Sequence, residues 1–250
     1  MIARWLCIVM ASFLLVAACA PKEAPLERPP EVVWEDFWAQ STNYDQEESF
    51  MMQVSVNFHT QEESRRFQAS LWGNTDYPVR MDLSAGFGQT FAMWLEDGLQ
   101  WQAYFPRENT QYVHHDGSQG ATMLGYPTPL NLQETSMVLL GSFQDLLPKE
   151  YHHVESRDHK WEYHFENHRV QKAVLNQEGK LQKVVGEEWE VKFQDPEMDG
   201  EHFYFSKLEM QLSRDKQAVI RIKSLDLDRD WDEGQLALEL PEDSRTVLLY

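Results

Sequence analysis

The amino-acid sequence predicts a mainly β protein with helices, of the α+β class. We expect one strongly curved antiparallel sheet that forms an unclosed barrel of about 11 short strands covered by helices. Three observations support this: apolar and polar residues alternate at period two from Phe50 onward, turn signals such as Asp97-Gly98 separate the alternating runs, and helical patterns occur before the first run and in the middle of the chain.

The first helix is predicted over Trp34–Glu48. Trp34, Phe37, Trp38 and Ser41 recur at the i, i+3, i+4, i+7 spacing of one helical face. Such an amphipathic helix can pack on the core of the domain or lie as a lid over a cavity, and the sequence leaves both interpretations open.

Five strands should follow this helix as an antiparallel meander with tight turns. Their predicted bounds are Phe50–Phe58, Arg66–Trp72, Val79–Ser84, Gln89–Leu95 and Leu99–Phe105.

A helical insert is then predicted at Leu132–Leu140. Asn131 can cap its first turn with Glu134 three residues later, although a strict capping box has Ser or Thr at the first position, and Gly141 should end the helix. A short second helix is predicted over Phe143–Leu147.

The alternation resumes after this insert and runs to the end of the chain. The later predicted strands are Trp161–Phe165, Val170–Leu175, Leu181–Val185, Trp189–Phe193, Phe203–Leu212, Val219–Leu227 and Leu236–Leu240.

Residues 1–18 have the pattern of a secretory signal peptide. Arg4 precedes a short apolar run that is too short to span a bilayer, and small residues lead up to Cys19. A signal that ends at cysteine resembles the lipobox of bacterial lipoproteins, which implies lipidation (palmitate) of Cys19. The alternative is an ordinary signal with an incidental cysteine. The Pro-rich residues 19–33 then form a tether, and residues 34–250 form one domain.

The composition restricts the function. Without residues 1–18 the chain carries 21 basic and 41 acidic residues, a balance that repels phosphate backbones, so we expect no nucleic-acid partner. The acidic chain is also repelled by anionic lipid headgroups, so lipid at Cys19 would provide the attachment to a membrane. Cys7 leaves with the signal and Cys19 is capped, so packing without disulfides must stabilise the domain.

The sequence contains no recognisable catalytic or metal-binding motif. Its clustered histidines, His114-His115, His152-His153, His159, His164 and His168, lack the spacing of a zinc site and are expected to be solvated. The mature chain has no HExxH, GxSxG or phosphate-binding loop and no thiol nucleophile. We therefore expect no enzymatic activity, no cofactor and no metal.

The order of several segments resembles the LolA/LolB family of periplasmic lipoprotein carriers. Phe67–Trp72 is similar to the second strand of the family, Pro78–Leu83 to the third, and Ala85–Gly88 to a loop with an exposed apolar residue in the outer-membrane member. The helix that ends in Leu139-Leu140-Gly141 is similar to the central helix, and Asn176–Leu181 to a late hairpin.

This resemblance implies a non-enzymatic protein with a hydrophobic cavity that accepts lipoprotein acyl chains or another lipid. The lipidated Cys19 favours the outer-membrane member, LolB, and Ala20 after it implies the periplasmic face of the outer membrane. A soluble LolA-like carrier would be a further partner. The alternative function is that of a structural or protein-interaction lipoprotein on the same fold.

Two sets of residues are predicted to carry this function. Gly86, Phe87 and Gly88 form a tight loop from which Phe87 would reach a membrane or an acyl chain, unless its ring folds back onto the sheet. The second set should line the cavity, with a filled core as the alternative for each member: Trp72, Met81, Phe91, Met93, Trp101, Tyr104, Met137, Leu140, Phe143 and Leu147.

Overall fold

The computed structural model describes residues 28–41, 48–86, 88–126, 128–200, 202–227, 229 and 231–250. The helices in these ranges are α1 (Pro30–Gln40), α2 (Gly117–Met123), α3 (Leu132–Leu139) and α4 (Glu233–Leu236). The strands are β1 (Ser49–His59), β2 (Ser64–Asn74), β3 (Val79–Ser84), β4 (Thr90–Glu96), β5 (Trp101–Phe105), β6 (Thr110–His114), β7 (His153–Arg157), β8 (Lys160–His164), β9 (Lys172–Leu175), β10 (Leu181–Val185), β11 (Glu190–Asp199), β12 (His202–Ser213), β13 (Lys216–Asp226) and β14 (Arg245–Leu248).

All of these strands belong to one curved sheet, in the order β14-β6-β5-β4-β3-β2-β1-β13-β12-β11-β10-β9-β8-β7. Every pair is antiparallel except β14 and β6, which run parallel. The sheet is not closed by hydrogen bonds, because β14 and β7 remain as its edges. The predicted fold class, a curved antiparallel sheet that forms an unclosed barrel with helices, is confirmed.

Three strands escaped the sequence prediction, and each has a physical reason. The edge strand β7 has no buried residue, so it lacks the alternation that marks a half-buried strand. In β6 the buried residues Thr110, Gln111 and His114 are polar, so the sequence shows no apolar alternation that would mark a strand. The strand β14 depends on a distant partner, since Arg245 pairs with Thr110.

Two predicted elements in the second half of the chain are wrong. Leu236–Leu240 alternates like a strand, but Leu236 ends α4 and the rest of the segment is irregular. The predicted second helix, Phe143–Leu147, is a single turn in which the Phe143 carbonyl accepts from the N–H groups of Leu146 and Leu147 at 3.1 and 2.9 Å.

The C-terminal segment explains why Leu236–Leu240 does not pair with the sheet. It crosses the outer face, where the Ala237 carbonyl accepts a hydrogen bond from Arg80 at 2.6 Å and the Gln235 carbonyl accepts one from Trp72 at 3.4 Å. The chain then reaches the far side of β6 and adds β14 there. The apolar residues of this segment therefore cover the back of the sheet.

Helix α1 begins four residues earlier than predicted and packs in the core, and residues 42–47 of the predicted range lie outside the described residues. It begins at Pro30, because proline is accepted in the first turn of a helix, so the last four residues of the predicted tether are helical. Trp34 packs on Tyr163 with ring centroids 4.6 Å apart, and its indole N–H donates to the Lys149 carbonyl at 2.8 Å. Of the two interpretations of this helix, the structure shows core packing.

Helix α3 is close to its prediction at both ends. The Asn131 side chain accepts from the Glu134 N–H at 2.8 Å, and the Glu134 carboxylate accepts from the Asn131 N–H at 3.0 Å, so asparagine forms a complete capping box. At the other end Gly141 has φ +78°, and a Cβ there would lie 2.4 Å from the Phe203 carbonyl oxygen. The predicted cap and the predicted glycine stop are both confirmed.

Candidate functional site

A cavity of about 880 Å³ lies between the inner face of the sheet and helices α2 and α3. Its walls are largely apolar side chains from β1 to β5, β12 and β13, together with α2 and the segment that leads into α3. Large apolar members of the lining are Val56, Phe58, Phe67, Met81, Leu83, Phe91, Trp94, Trp101, Phe105, Leu124, Tyr126, Leu130, Leu132, Met210 and Ile220. The size falls within the range of about 300–1,000 Å³ that is typical of small-molecule sites.

Burial along β1 shows where the filled interior ends and the cavity begins. Phe50, Met52 and Val54 are buried, whereas Val56 and Phe58, which continue the same inward alternation, are only partly buried. Large apolar side chains on an inward face stay accessible only where no other element covers them. One end of the barrel is therefore filled and the other is open.

The filled end is built around aromatic side chains from α1, from the turn after α3 and from β11 and β12. Phe143 contacts Phe37 and Phe193, each with ring centroids 5.4 Å apart, and Phe193 contacts Phe205 at 5.1 Å. Because α1 occupies this end, its side chains do not line the cavity.

The residues predicted to line the cavity fall into three groups. Met81, Phe91 and Trp101 line it. Met137, Leu140, Phe143 and Leu147 instead belong to the filled core.

Trp72, Met93 and Tyr104 form the third group, on the opposite face of the sheet. Tyr104 pairs with Met93 there, is buried, and donates its hydroxyl to Asn109 at 2.9 Å. The guanidinium carbon of Arg80 lies 4.9 Å from the centre of the Trp72 ring, and an Arg80 nitrogen lies 3.8 Å from the Met93 sulfur. Trp72 meets the C-terminal segment, since its ring centroid lies 6.4 Å from that of Trp231.

Helix α2 closes one side of the cavity through an unusually close contact. A Cβ on Gly120 would lie 2.6 Å from the Trp101 ring and 2.9 Å from the His114 Cβ. Only glycine therefore lets the helix backbone approach the buried Trp101. This contact fixes α2 beside the cavity, where Ala121 forms part of the wall.

The mouth of the cavity is polar and carries three arginines that the sequence analysis did not single out. Arg65, Arg66 and Arg107 line the cavity and are exposed, as are Glu63 and Glu108. The sequence did contain a signal for these residues. Arginines stand beside aromatic residues in a strongly acidic chain, at Arg65-Arg66-Phe67 and Phe105-Pro106-Arg107. The topology was needed to bring the two segments to one opening.

The loop between β3 and β4 also reaches this mouth. Ala85 and Gln89 line the cavity, and the Ala85 N–H donates to the Gln89 carbonyl at 3.1 Å. Gly86 and Gly88 are exposed between them, and Gly88 has φ +77°. Phe87 lies outside the described residues, so its role stays a prediction.

A buried carboxylate supports helix α3 at the inner end of β4. The Glu96 carboxylate accepts from the N–H groups of Leu132 and Gln133, at 2.8 and 3.4 Å. Together with the capping box it satisfies the first donors of the helix. Burial raises the pKa of Glu96 to about 7, against the lowering effect of these two hydrogen bonds, and the carboxylate of Glu134 raises it further.

The prediction that the clustered histidines are solvated is wrong for His114, which is 4% exposed and whose Nδ1 accepts from the Asp116 N–H at 2.9 Å. His152 lies 3.0 Å from Glu166, and His153 and His164 each lie 3.5 Å from Glu155, in a shallow surface depression near the β7 edge. Among the residues that the structure describes, no group of three or more His, Cys, Asp or Glu side chains has a geometry that could hold a metal ion.

The predicted attachment to a membrane cannot be placed in the fold, because Cys19 and residues 1–18 lie outside the described residues. Within the described ranges, no helix has the length and apolar character needed to cross a bilayer.

Comparison with known proteins identifies the fold. No protein-family model matches the sequence, and a search of curated proteins finds no significant match. Among solved structures, a LolA superfamily protein from Nitrosomonas europaea superposes with TM-score 0.53 at 11% identity, covering 83% of this chain and 97% of its own. A DUF1329 family protein from Desulfovibrio piger gives TM-score 0.58 at 10% identity, covering 84% and 97%.

A third structure, a Vibrio parahaemolyticus domain whose name assigns it to outer membrane lipoprotein sorting, gives TM-score 0.52 at 12% identity over 82% of this chain and 94% of its own. At these identities the likeness concerns the architecture. The curved sheet with its covering helices and internal cavity is therefore a LolA-like fold.

Proposed function

We propose that this protein is a non-enzymatic carrier that holds an acyl chain of a lipoprotein or of another lipid in the cavity of its LolA-like fold. The observation that carries the proposal is the apolar cavity of about 880 Å³ with an exposed polar mouth. Each methylene group buried there would stabilise the complex by about 0.8 kcal/mol. The likeness to lipoprotein-sorting structures supports the same function.

The proposal includes a place in the cell. The signal pattern that ends at Cys19 supports lipid anchoring, and Ala20 supports the periplasmic face of the outer membrane, where the protein would resemble LolB and receive cargo from a soluble LolA-like carrier. The loop of Gly86, Phe87 and Gly88 would then deliver the acyl chain, which agrees with the position of Ala85 and Gln89 at the mouth.

Partly filling the cavity should weaken lipid binding. Val56 lines the cavity and is only partly buried, so its replacement by tryptophan occupies the space without displacing core residues. We expect Val56→Trp to weaken the binding of a neutral apolar dye, N-phenyl-1-naphthylamine, by on the order of tenfold or more. Fluorescence titration of the domain without its anchor measures this, and mass spectrometry of the purified protein should show lipid lost in parallel.

Val32→Trp is the matched control, because Val32 is exposed on α1 and does not line the cavity. It should bind dye and lipid as the parent does. Absence of dye binding and of co-purified lipid from the parent protein would refute the carrier function and favour a structural or protein-interaction lipoprotein on the same fold.

Lipidation is tested separately. Cells given an alkyne analogue of palmitate should label the full chain, and Cys19→Ser should remove the label and release the protein from the membrane fraction. Equal labelling of the parent and the Cys19→Ser variant would contradict the predicted anchor.

A further inference from the structure

The charge at the cavity mouth is opposite to that of the protein as a whole. The full chain carries 22 basic and 41 acidic residues, a net charge of −19. At the mouth, three arginines face two glutamates: Arg65, Arg66 and Arg107 against Glu63 and Glu108. A cationic opening on such an acidic chain is unexpected from composition alone.

Two of the three arginines have no carboxylate partner in the described part of the chain. Arg65 pairs with Glu63 at 2.8 Å, although both side chains are largely exposed and the pair is weak. Glu108 accepts a hydrogen bond from the Tyr112 hydroxyl at 3.1 Å. No described carboxylate lies within 4 Å of the guanidinium groups of Arg66 or Arg107, so both remain available to a ligand.

The arginines at the mouth lie next to aromatic residues of the cavity wall. Arg66 is followed by Phe67, which packs against Phe91 with ring centroids 6.0 Å apart, and Phe105, which precedes Arg107 by two residues, contacts Tyr126 at 6.5 Å. A ligand whose apolar chain lies against these rings would place its polar end at the arginines. The guanidinium group binds carboxylates and phosphates through paired N–H donors.

The net negative charge of the protein does not prevent this recognition. At physiological ionic strength the Debye length is about 8 Å, so exposed charges elsewhere on the surface are largely screened at the mouth. The nearest charges decide the local potential, and there the arginines outnumber the glutamates.

We propose that the cavity selects an amphiphile with an anionic headgroup, in which the acyl chain occupies the cavity and a carboxylate or phosphate binds Arg66 and Arg107. This inference rests on the proposed carrier function and specifies its ligand class. A neutral acyl chain would gain the same apolar contacts and lack the charge-assisted hydrogen bonds.

The test compares ligands that share a myristoyl chain and differ in headgroup. Myristate, lysophosphatidylglycerol, lysophosphatidylcholine and monomyristoylglycerol are each titrated against protein loaded with N-phenyl-1-naphthylamine. We expect the two anionic ligands to displace the dye at concentrations about tenfold lower than the neutral glycerol ester. A preference for only one of them distinguishes a carboxylate site from a phosphate site, and the advantage should shrink at high salt.

The double variant Arg66→Gln, Arg107→Gln should lose the preference for anionic ligands and keep its affinity for the neutral ester. Its control is Arg157→Gln, Arg214→Gln, which makes the same change in net charge at exposed positions that do not line the cavity. Thermal unfolding of all three proteins verifies that they fold equally well.

The outcomes separate the two proposals. If all the ligands displace the dye equally, or if the Arg66/Arg107 variant keeps the anionic preference, the headgroup inference is overturned and the carrier function stands. If neither the dye nor any amphiphile binds the parent protein, the carrier function itself fails. Loss of the preference in both double variants would indicate a general charge effect and would also overturn the inference.

Discussion

Replacement of Phe143 by alanine is expected to lower the free energy of unfolding by about 3–5 kcal/mol, the usual cost of removing a buried phenylalanine ring. Phe143 is 2% exposed and its ring contacts Phe37, Phe193 and Phe205. Its removal leaves a hole that these rings cannot all close. Urea unfolding followed by tryptophan fluorescence or circular dichroism measures the loss.

Phe91→Ala is the matched control, because it removes the same ring from a site that borders empty space. Phe91 is partly buried, lines the cavity and contacts Phe67. We expect a loss of about 1 kcal/mol, together with weaker dye binding, whereas Phe143→Ala should leave dye binding intact in the folded protein. Equal losses of stability, or an effect of Phe143 alone on dye binding, would show that the two ends of the barrel are assigned wrongly.

The second large effect concerns Glu96 and the pH dependence of stability. The folded state raises the pKa of this carboxyl from 4.5 to about 7, chiefly through burial. The contribution of the protonated carboxyl to the free energy of unfolding is therefore complete below pH 4.5, where Glu96 is protonated in both the folded and the unfolded state. This contribution is lost as the pH rises through 7. Above that pH the folded protein must hold a buried charge, at a cost on the order of 3 kcal/mol relative to acid conditions.

Glu96→Gln should remove this dependence. The amide oxygen can still accept the Leu132 N–H, which the carboxylate accepts at 2.8 Å, but the side chain does not titrate. We expect the stability of the variant relative to the parent to increase between pH 4.5 and pH 8 by about 2–3 kcal/mol. Urea unfolding of both proteins at a series of pH values measures this difference. Groups other than Glu96 titrate in both proteins, so their effects cancel when the two free energies are subtracted.

The control for Glu96 is Glu187→Gln, since Glu187 is exposed in the turn between β10 and β11. Its stability relative to the parent should not vary with pH over the same interval. Parallel curves for the parent and Glu96→Gln would mean that Glu96 ionises normally in the folded protein. A loss of stability in Glu96→Gln at every pH would indicate that the charge itself is needed to hold α3.

Helix α3 shows how far local sequence signals reach. Its first residue follows from Asn131 and Glu134, whose side chains and backbone bind each other within one turn. Its end follows from Gly141, which alone tolerates the positive φ at that position. Such signals can be predicted because all the interacting groups lie close together in the sequence.

The cavity residues show where this prediction stops. Period two correctly separates the faces of β3, but it does not reveal whether a large side chain meets a filled core, a cavity or a covering segment. Met81 and Met93 are both large, apolar and partly buried, yet Met81 lines the cavity and Met93 lies beside Arg80 on the outer face. The difference follows from strand register, because Met81 pairs with Trp94 whereas Met93 pairs with Asp82, and an irregularity between Leu83 and Ser84 breaks the alternation that would put Phe91 and Met93 on one face.

The sequence by itself determined the fold class, most strands and both ends of α3, since alternation and capping act between neighbouring residues. Only the tertiary structure decided which end of the barrel is empty. Helix α1 and Phe143 fill one end, while Arg66 and Arg107 from separate hairpins both line the mouth at the other. A cavity is the space that distant elements leave unfilled, so its position and the charge at its mouth arise only when those elements are packed together.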